Sequence, residues 1–529
     1  TLSGGDGLDQ LFGGNGDDVL HGQNDADMVD GGSGDDLVSG NAGDDLVLGG
    51  LGNDTVYGND GSDTLFGGDG NDRVSGGIGD DMIYGQIGED TLIGGLGNDT
   101  LSGGDESDVF FAGEGNDSVL GDTGDDLIYA GSGQDTANGG AGNDVIFAGL
   151  GDDLASGGIG NDYVAGEQGV DTLSGGLGTD TLLGGQGADV IYAGDGDDLA
   201  YGGSDHDSID GGSGDDRLYG QTGDDTLYGG LGSDTAIGGI GNDLIDVGDE
   251  SEVANDYAEG NTGRDYLTSG AGDDVLYGDS VWNGVTIEGW VAPEDQSIYE
   301  DTIYAGSGND SVFGSFGNDY INGGEGNDYL DGGLRNDTVE GGIGDDFVLG
   351  REGEDLISGD SGDDTILGGQ GNDTVLGDEG ADLLFGNTGN DLVLGGIGDD
   401  VIHGQSGDDW LDGDVDNDYV SGNEGNDVVI GGLGNDTLSG GEGLDSLIGG
   451  DGDDVAHGQD GDDYLDGGVG NDLLSGNQGQ DIILGGDGND TVYGNEQDDQ
   501  LDGGRGSDRL SGGEGNDVIT GGAGNDTVT

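Results

Sequence analysis

The sequence predicts an all-β solenoid, a flattened coil that turns once every 18 residues. Three observations carry this expectation. An aspartate stands at every ninth position along nearly the whole chain, a glycine-rich stretch precedes each one, and a single apolar residue follows two places after it. Self-similarity at a short fixed period is the signature of stacked repeat architectures.

The unit is typified by Gly13-Gly14-Asn15-Gly16-Asp17-Asp18-Val19-Leu20-His21. Its first four residues supply positions that take positive φ, so the backbone can turn sharply and direct carbonyl oxygens inward. The fifth and sixth are Asn-Asp or Asp-Asp and end the turn with carboxylates. The last three alternate like a strand, with the middle side chain on the face opposite its neighbours. Two units then make one coil, and units n and n+2 stack.

The period runs for 27 units from Asp9 to Asp243, for three at Asp256, Asp265 and Asp274, and for 26 from Asp301 to Asp526. These 56 units make about 28 coils, and at ~4.8 Å per strand layer a rod of roughly 130 Å. The eighth position is aliphatic except for Phe110 and six alanines (Ala137, Ala155, Ala200, Ala236, Ala258 and Ala456). The register breaks at 247–256 and again at 279–300. The expected organisation is therefore a first repeat array over 1–246, an irregular region over 247–300, and a second array over 301–529 that continues the first.

Composition narrows the function. The chain has 529 residues, 135 glycines, 117 acidic and seven basic side chains, no cysteine and a formal net charge of −110. Nucleic acid is excluded as a partner, because nothing basic could replace the counterions on phosphates. No apolar run reaches the length of a membrane span. One aliphatic residue in nine is a small core against the entropy of ordering so much glycine. Stacked carboxylates add repulsion, so something positive must lie between the turns. Hard oxygen donors select calcium. One ion shared between units n and n+2 gives at most about 54 sites, and about +108 of charge against −110.

The unit resembles GGxGxDxUx, the nonapeptide of the RTX proteins, over about nine tenths of the chain; the same repeat serves as a general illustration of calcium-binding β-helices. The resemblance implies a parallel β-roll (a right-handed β-helix) with calcium between stacked turns, held by the position-six Asp and by carbonyls of the glycine-rich positions. On one edge of the first array these are Asp9, Asp27, Asp45, Asp63, Asp81, Asp99, Asp117, Asp135, Asp153, Asp171, Asp189, Asp225 and Asp243. On the other edge they are Asp18, Asp36, Asp54, Asp72, Asp90, Asp126, Asp144, Asp162, Asp180, Asp198, Asp216 and Asp234. Between the breaks lie Asp265 and Asp274. In the second array one edge has Asp319, Asp355, Asp373, Asp391, Asp409, Asp427, Asp445, Asp463, Asp481 and Asp517. Its other edge has Asp310, Asp328, Asp346, Asp364, Asp382, Asp400, Asp436, Asp454, Asp472, Asp490, Asp508 and Asp526. Family members are typically exported by type I secretion and fold where calcium is plentiful.

Five turns depart from the pattern at position four, with Glu106, Asp205, Arg335, Asp416 and Gln497 in place of Gly. The set above omits the aspartates of these turns, and Asp256 and Asp301 beside the breaks. Arg335 is expected to weaken calcium binding, its guanidinium partly replacing the ion.

The outward ninth position reads Ile93, Phe111, Tyr129, Phe147, Ala165, Leu183, Tyr201, Tyr219, Ile237 on one face, nine layers without a charge. Such a row is expected to pack laterally, although scattered outward aromatics are also ordinary on strands. The second break contains Trp282, Trp290 and Tyr299, a candidate contact loop. Asp-Asp pairs recur in most units and belong to the turn, so they are not read as an acid–base pair, and no catalytic residue is expected. His21, His403 and His457 are expected to be solvated.

Together these features point to an extracellular, non-enzymatic, calcium-folded structural protein. Its expected partners are copies of itself in a fibril, sheath or S-layer-like coat, with cell-surface glycans or outer-membrane components as further candidates. An all-repeat chain resembles oscillin-like bacterial surface proteins in architecture. The alternative is the calcium-dependent repeat segment of a larger secreted RTX toxin, enzyme or adhesin whose active domain lies outside these residues.

Overall fold

The computed structural model describes residues 1–248, 253–279 and 299–529. These residues form parallel strands joined by tight turns and contain no helix. They divide into two compact units, Thr1–Glu252 and Val253–Thr529, each with about 14 coils. The division falls within the first register break.

In both units, away from the breaks, each strand pairs in parallel with the strand 18 residues on. Leu37–Ala42 pairs with Thr55–Asp60, and Leu46–Leu51 with Thr64–Asp69. Alternate strands therefore build two sheets, one on each flat side of the coil, as the period requires.

The strand is longer than the sequence predicts. It spans six residues, positions seven to nine and then one to three, leaving a three-residue turn such as Gly43–Asp45. The ladder runs through Val38↔Val56 and Ser39↔Tyr57 and resumes at Asn41↔Asn59. Positive φ at position two (Asn41 84°, Asn59 83°) bends the chain without ending the ladder. Bend and strand, separate in the sequence reading, share residues.

Position eight points inward. Leu20, Val38, Val56, Val74, Leu92, Phe110, Ile128 and Ile146 stack in one column and are fully buried. The Phe110 ring reaches across the coil to Gly103, where a Cβ would lie 2.8 Å from its Cζ. The turns bond to the coils above and below: Gly52 N–H donates to the Asp69 carbonyl at 2.8 Å, and Thr55 N–H to the Asp36 carbonyl at 2.8 Å.

The second break leaves the stack in register. The Asp265 N–H donates to Asp301 Oδ1 (2.8 Å) and the Asp274 N–H to Asp310 Oδ1 (2.7 Å), both across 36 residues. One complete coil's worth of chain is thus passed over.

Candidate metal centres in the turns

Each position-six aspartate ends a turn with its side chain folded under the next coil. In the regular repeats its Oδ1 accepts the backbone N–H of the aspartate 18 residues earlier, as in Asp36 to Asp54 (2.7 Å), Asp126 to Asp144 (2.8 Å) and Asp418 to Asp436 (2.9 Å). The other oxygen is different. Oδ2 is buried without a hydrogen-bond partner at Asp27, Asp63, Asp144, Asp198, Asp328, Asp436, Asp490 and many equivalents. A carboxylate oxygen removed from water and left unmatched is costly, so the same orphan along both edges of a stack calls for a counter-charge.

The surroundings of Oδ2 fit a hard cation. At Gly49 an added Cβ would lie 2.6 Å from Asp54 Oδ2 and 2.5 Å from the Gly67 carbonyl oxygen. At Gly323 the corresponding oxygens, Asp328 Oδ2 and Gly341 O, are both 2.5 Å away. Carboxylate and carbonyl oxygens of successive coils thus converge on one glycine. Among the described residues no three acidic or imidazole side chains gather into one cluster. A cation held here takes carboxylates singly or in pairs and completes its shell with main-chain carbonyls, the donor chemistry of calcium.

The electrostatics agree. Burial, only partly offset by the backbone N–H, pushes the carboxyls up to about 6 at Asp45, about 7 at Asp72 and about 8 at Asp108. Groups that resist ionisation this strongly need a positive neighbour to stay charged at neutral pH.

The aspartates of the off-pattern turns share this geometry. Asp108, Asp207, Asp337, Asp418 and Asp499, left out because their turns lack the position-four glycine, are as buried as the rest. They accept the same backbone hydrogen bond and leave the same Oδ2 unmatched. Glu106, Asp205, Arg335, Asp416 and Gln497 adopt φ of 77°, 80°, 84°, 85° and 76°, so the turn keeps its shape at the cost of local strain. Asp25, with φ 71°, is a sixth such departure that the sequence reading passes over. Asp256 and Asp301 are buried too, at 4% and 2% exposed. Only at the ends of the stacks is burial incomplete, at Asp9, Asp18, Asp517 and Asp526.

In the turn that carries Arg335, burial, opposed by the Asp319 backbone N–H and reinforced by the Asp355 and Asp331 carboxylates, pushes Asp337 up to about 9.

The structure places Ile93, Phe111, Tyr129, Phe147, Leu183, Tyr201, Tyr219 and Ile237 in one row of paired positions on one sheet. Tyr129 stacks between Phe111 and Phe147 at 5.3 and 5.1 Å, and Tyr201 on Tyr219 at 4.8 Å. His403, expected in water, instead stacks on Phe385 at 5.3 Å, and burial lowers its pKa. Tyr299 packs against Phe316, with ring centroids 6.1 Å apart. Trp282 and Trp290 lie outside the described residues.

Fold and turns together define a repeat protein whose parallel coils present buried carboxylate and carbonyl oxygens to hard cations. A family model described as the RTX calcium-binding nonapeptide repeat (4 copies) matches residues 1–245, 253–280 and 297–529 in successive copies. The chain belongs to this family, and its turns are calcium-binding repeats. No curated protein matches it.

Proposed function

We propose that the chain is an extracellular structural protein that folds on calcium and packs with copies of itself into a cell-surface fibril, sheath or S-layer-like coat. The observation that carries this reading is the uncharged row Ile93 to Ile237 on a chain of net charge −110. Nine adjacent layers free of charge are improbable on so acidic a surface unless something excludes water from them. Up to about 54 ions would neutralise the turns and let like-charged copies approach.

The ring geometry favours protein over sugar as the occupant. Phe111, Tyr129 and Phe147 lie 2° and 8° from parallel, each ring covering its neighbour's face. They offer edges rather than the open faces on which a pyranose stacks. Beside them Leu183, Tyr201, Gly203, Ser204, Gln221 and Thr222 line a shallow groove that would accept side chains of a second copy.

Negative-stain electron microscopy in millimolar calcium, with a chelated control, tests the reading. Regular filaments or sheets that vanish with the chelator support it. Isolated rods in calcium contradict self-assembly and favour the repeat segment of a larger secreted protein.

A further inference from the structure

At the second break the chain contains a carboxylate that the nine-residue pattern does not supply. Asp279 stands at position two of its repeat, where Asp378 and Asp414 in theirs are exposed to solvent. Asp279 is 2% exposed, and neither of its carboxylate oxygens has a hydrogen-bond partner. The regular aspartates leave one oxygen unmatched; Asp279 leaves both.

Its neighbours are acidic as well. An added Cβ on Gly278 would meet Asp301 Oδ2 and lie 2.6 Å from the Gly314 carbonyl oxygen, so the ordinary turn donors converge on the residue next to Asp279. Burial, then the charges of Asp301 and Asp265, push the Asp279 carboxyl up to about 10, with the Phe316 backbone amide opposing. Asp279 in turn helps raise Asp319. The pocket is dry. Ser315 is 1% exposed and donates through Oγ to the Asp279 carbonyl (3.2 Å). Phe316 is 3% exposed at a position where Leu51 and Ile78 are 52% and 54% exposed, and the Tyr299 ring lies against it.

We infer that Asp279 and Asp301, with the Gly314 carbonyl, form a cation site of higher charge than the repeat turns, built for calcium or another hard ion with oxygen ligands. Affinity in oxygen-ligand sites rises with the number of charged ligands and with rigidity. A second carboxylate in a closed pocket supplies both, so this turn fills at lower calcium than its neighbours. The inference rests on the calcium reading of the regular turns.

Hydrogen-exchange mass spectrometry of the full chain across a calcium titration tests it, with peptides over 261–279 and 299–319 compared with peptides over 100–200. The expected result is protection of the former at a lower calcium midpoint. Asp279→Asn should raise that local midpoint about tenfold or more and leave the distant one unchanged. Asp279→Gly, which restores the pattern residue, should do the same. If Asp279 is merely a buried protonated acid, both substitutions will lower the local midpoint or leave it alone, and the inference falls. Failure of calcium to protect any peptide would instead overturn the calcium reading itself.

Discussion

The backbone N–H of Asp265 donates to Oδ1 of Asp301 at 2.8 Å, across 36 residues, where the regular turns make the same bond across 18. Eighteen residues are therefore extra. Removing 280–297 joins Gly278-Asp279 to Ile298-Tyr299-Glu300-Asp301 and regenerates one nonapeptide. The deletion variant should reach the same calcium-dependent circular dichroism as the parent, with its midpoint within about twofold. Loss of the calcium-induced β signal would show that the inserted residues, not the repeat, hold this part of the stack together.

The position-six carboxyls make the metal-free fold sensitive to pH. In the roll they are raised to about 6 at Asp45 and about 8 at Asp108, from 3.8. A carboxyl raised on folding favours the folded state when protonated. Its contribution is fully present below pH 3.8 and lost as pH rises through 6 to 8. In chelator, lowering the pH from about 8 to about 5 should therefore increase β structure. In calcium the same change should raise the calcium midpoint, because protons compete for the ligands. Circular dichroism in the two buffers measures both effects.

Single turns should respond locally. Asp144→Asn keeps the Oδ1 acceptor for the Asp126 N–H (2.8 Å) but removes a ligand charge. It should raise the calcium midpoint of peptides around 126–162 about tenfold and leave those beyond 310 unchanged. Arg335→Gly restores the pattern glycine in the turn of Asp337 and should lower that turn's calcium midpoint, as expected if the guanidinium competes with the ion. Exchange rates of the two variants, read peptide by peptide, separate these outcomes.

Assembly should be separable from folding. Replacing Phe111, Tyr129 and Phe147 together by serine removes a stacked outward triplet and touches no core residue. The calcium midpoint should stay within about twofold while the sedimentation coefficient of assembled material falls to that of the single chain. An unchanged sedimentation profile would place the contact surface elsewhere.

Much of this was legible because the period is strict. The column from Leu20 to Ile146 and the aspartates that stack under each coil follow from counting nine residues, since side-chain direction in a strand alternates regularly. The strand's true length was not legible: glycine marks a bend in sequence, and only the paired backbone shows that Asn41 and Asn59 bend and pair at once. At Glu106 and Arg335 the missing glycine gives no sign in sequence that a side chain at positive φ still leaves Oδ2 of Asp108 and Asp337 buried and unmatched. His403 gives no sign in its own repeat of the Phe385 ring 18 residues before it, and stacking decides its environment. Asp279 reads in sequence as one more letter in an irregular stretch; only the structure shows it buried, with Ser315 of the next coil donating to its carbonyl.

The central claim is that divalent cations complete the fold by matching the orphaned Oδ2 atoms of residues such as Asp144 and Asp436. The most direct test is far-ultraviolet circular dichroism with small-angle scattering of the chain at pH 8, first in chelator and then in millimolar calcium. The account predicts an expanded chain without β signal in chelator and a β-rich, compact species in calcium. The same β spectrum and the same dimensions in both would contradict it.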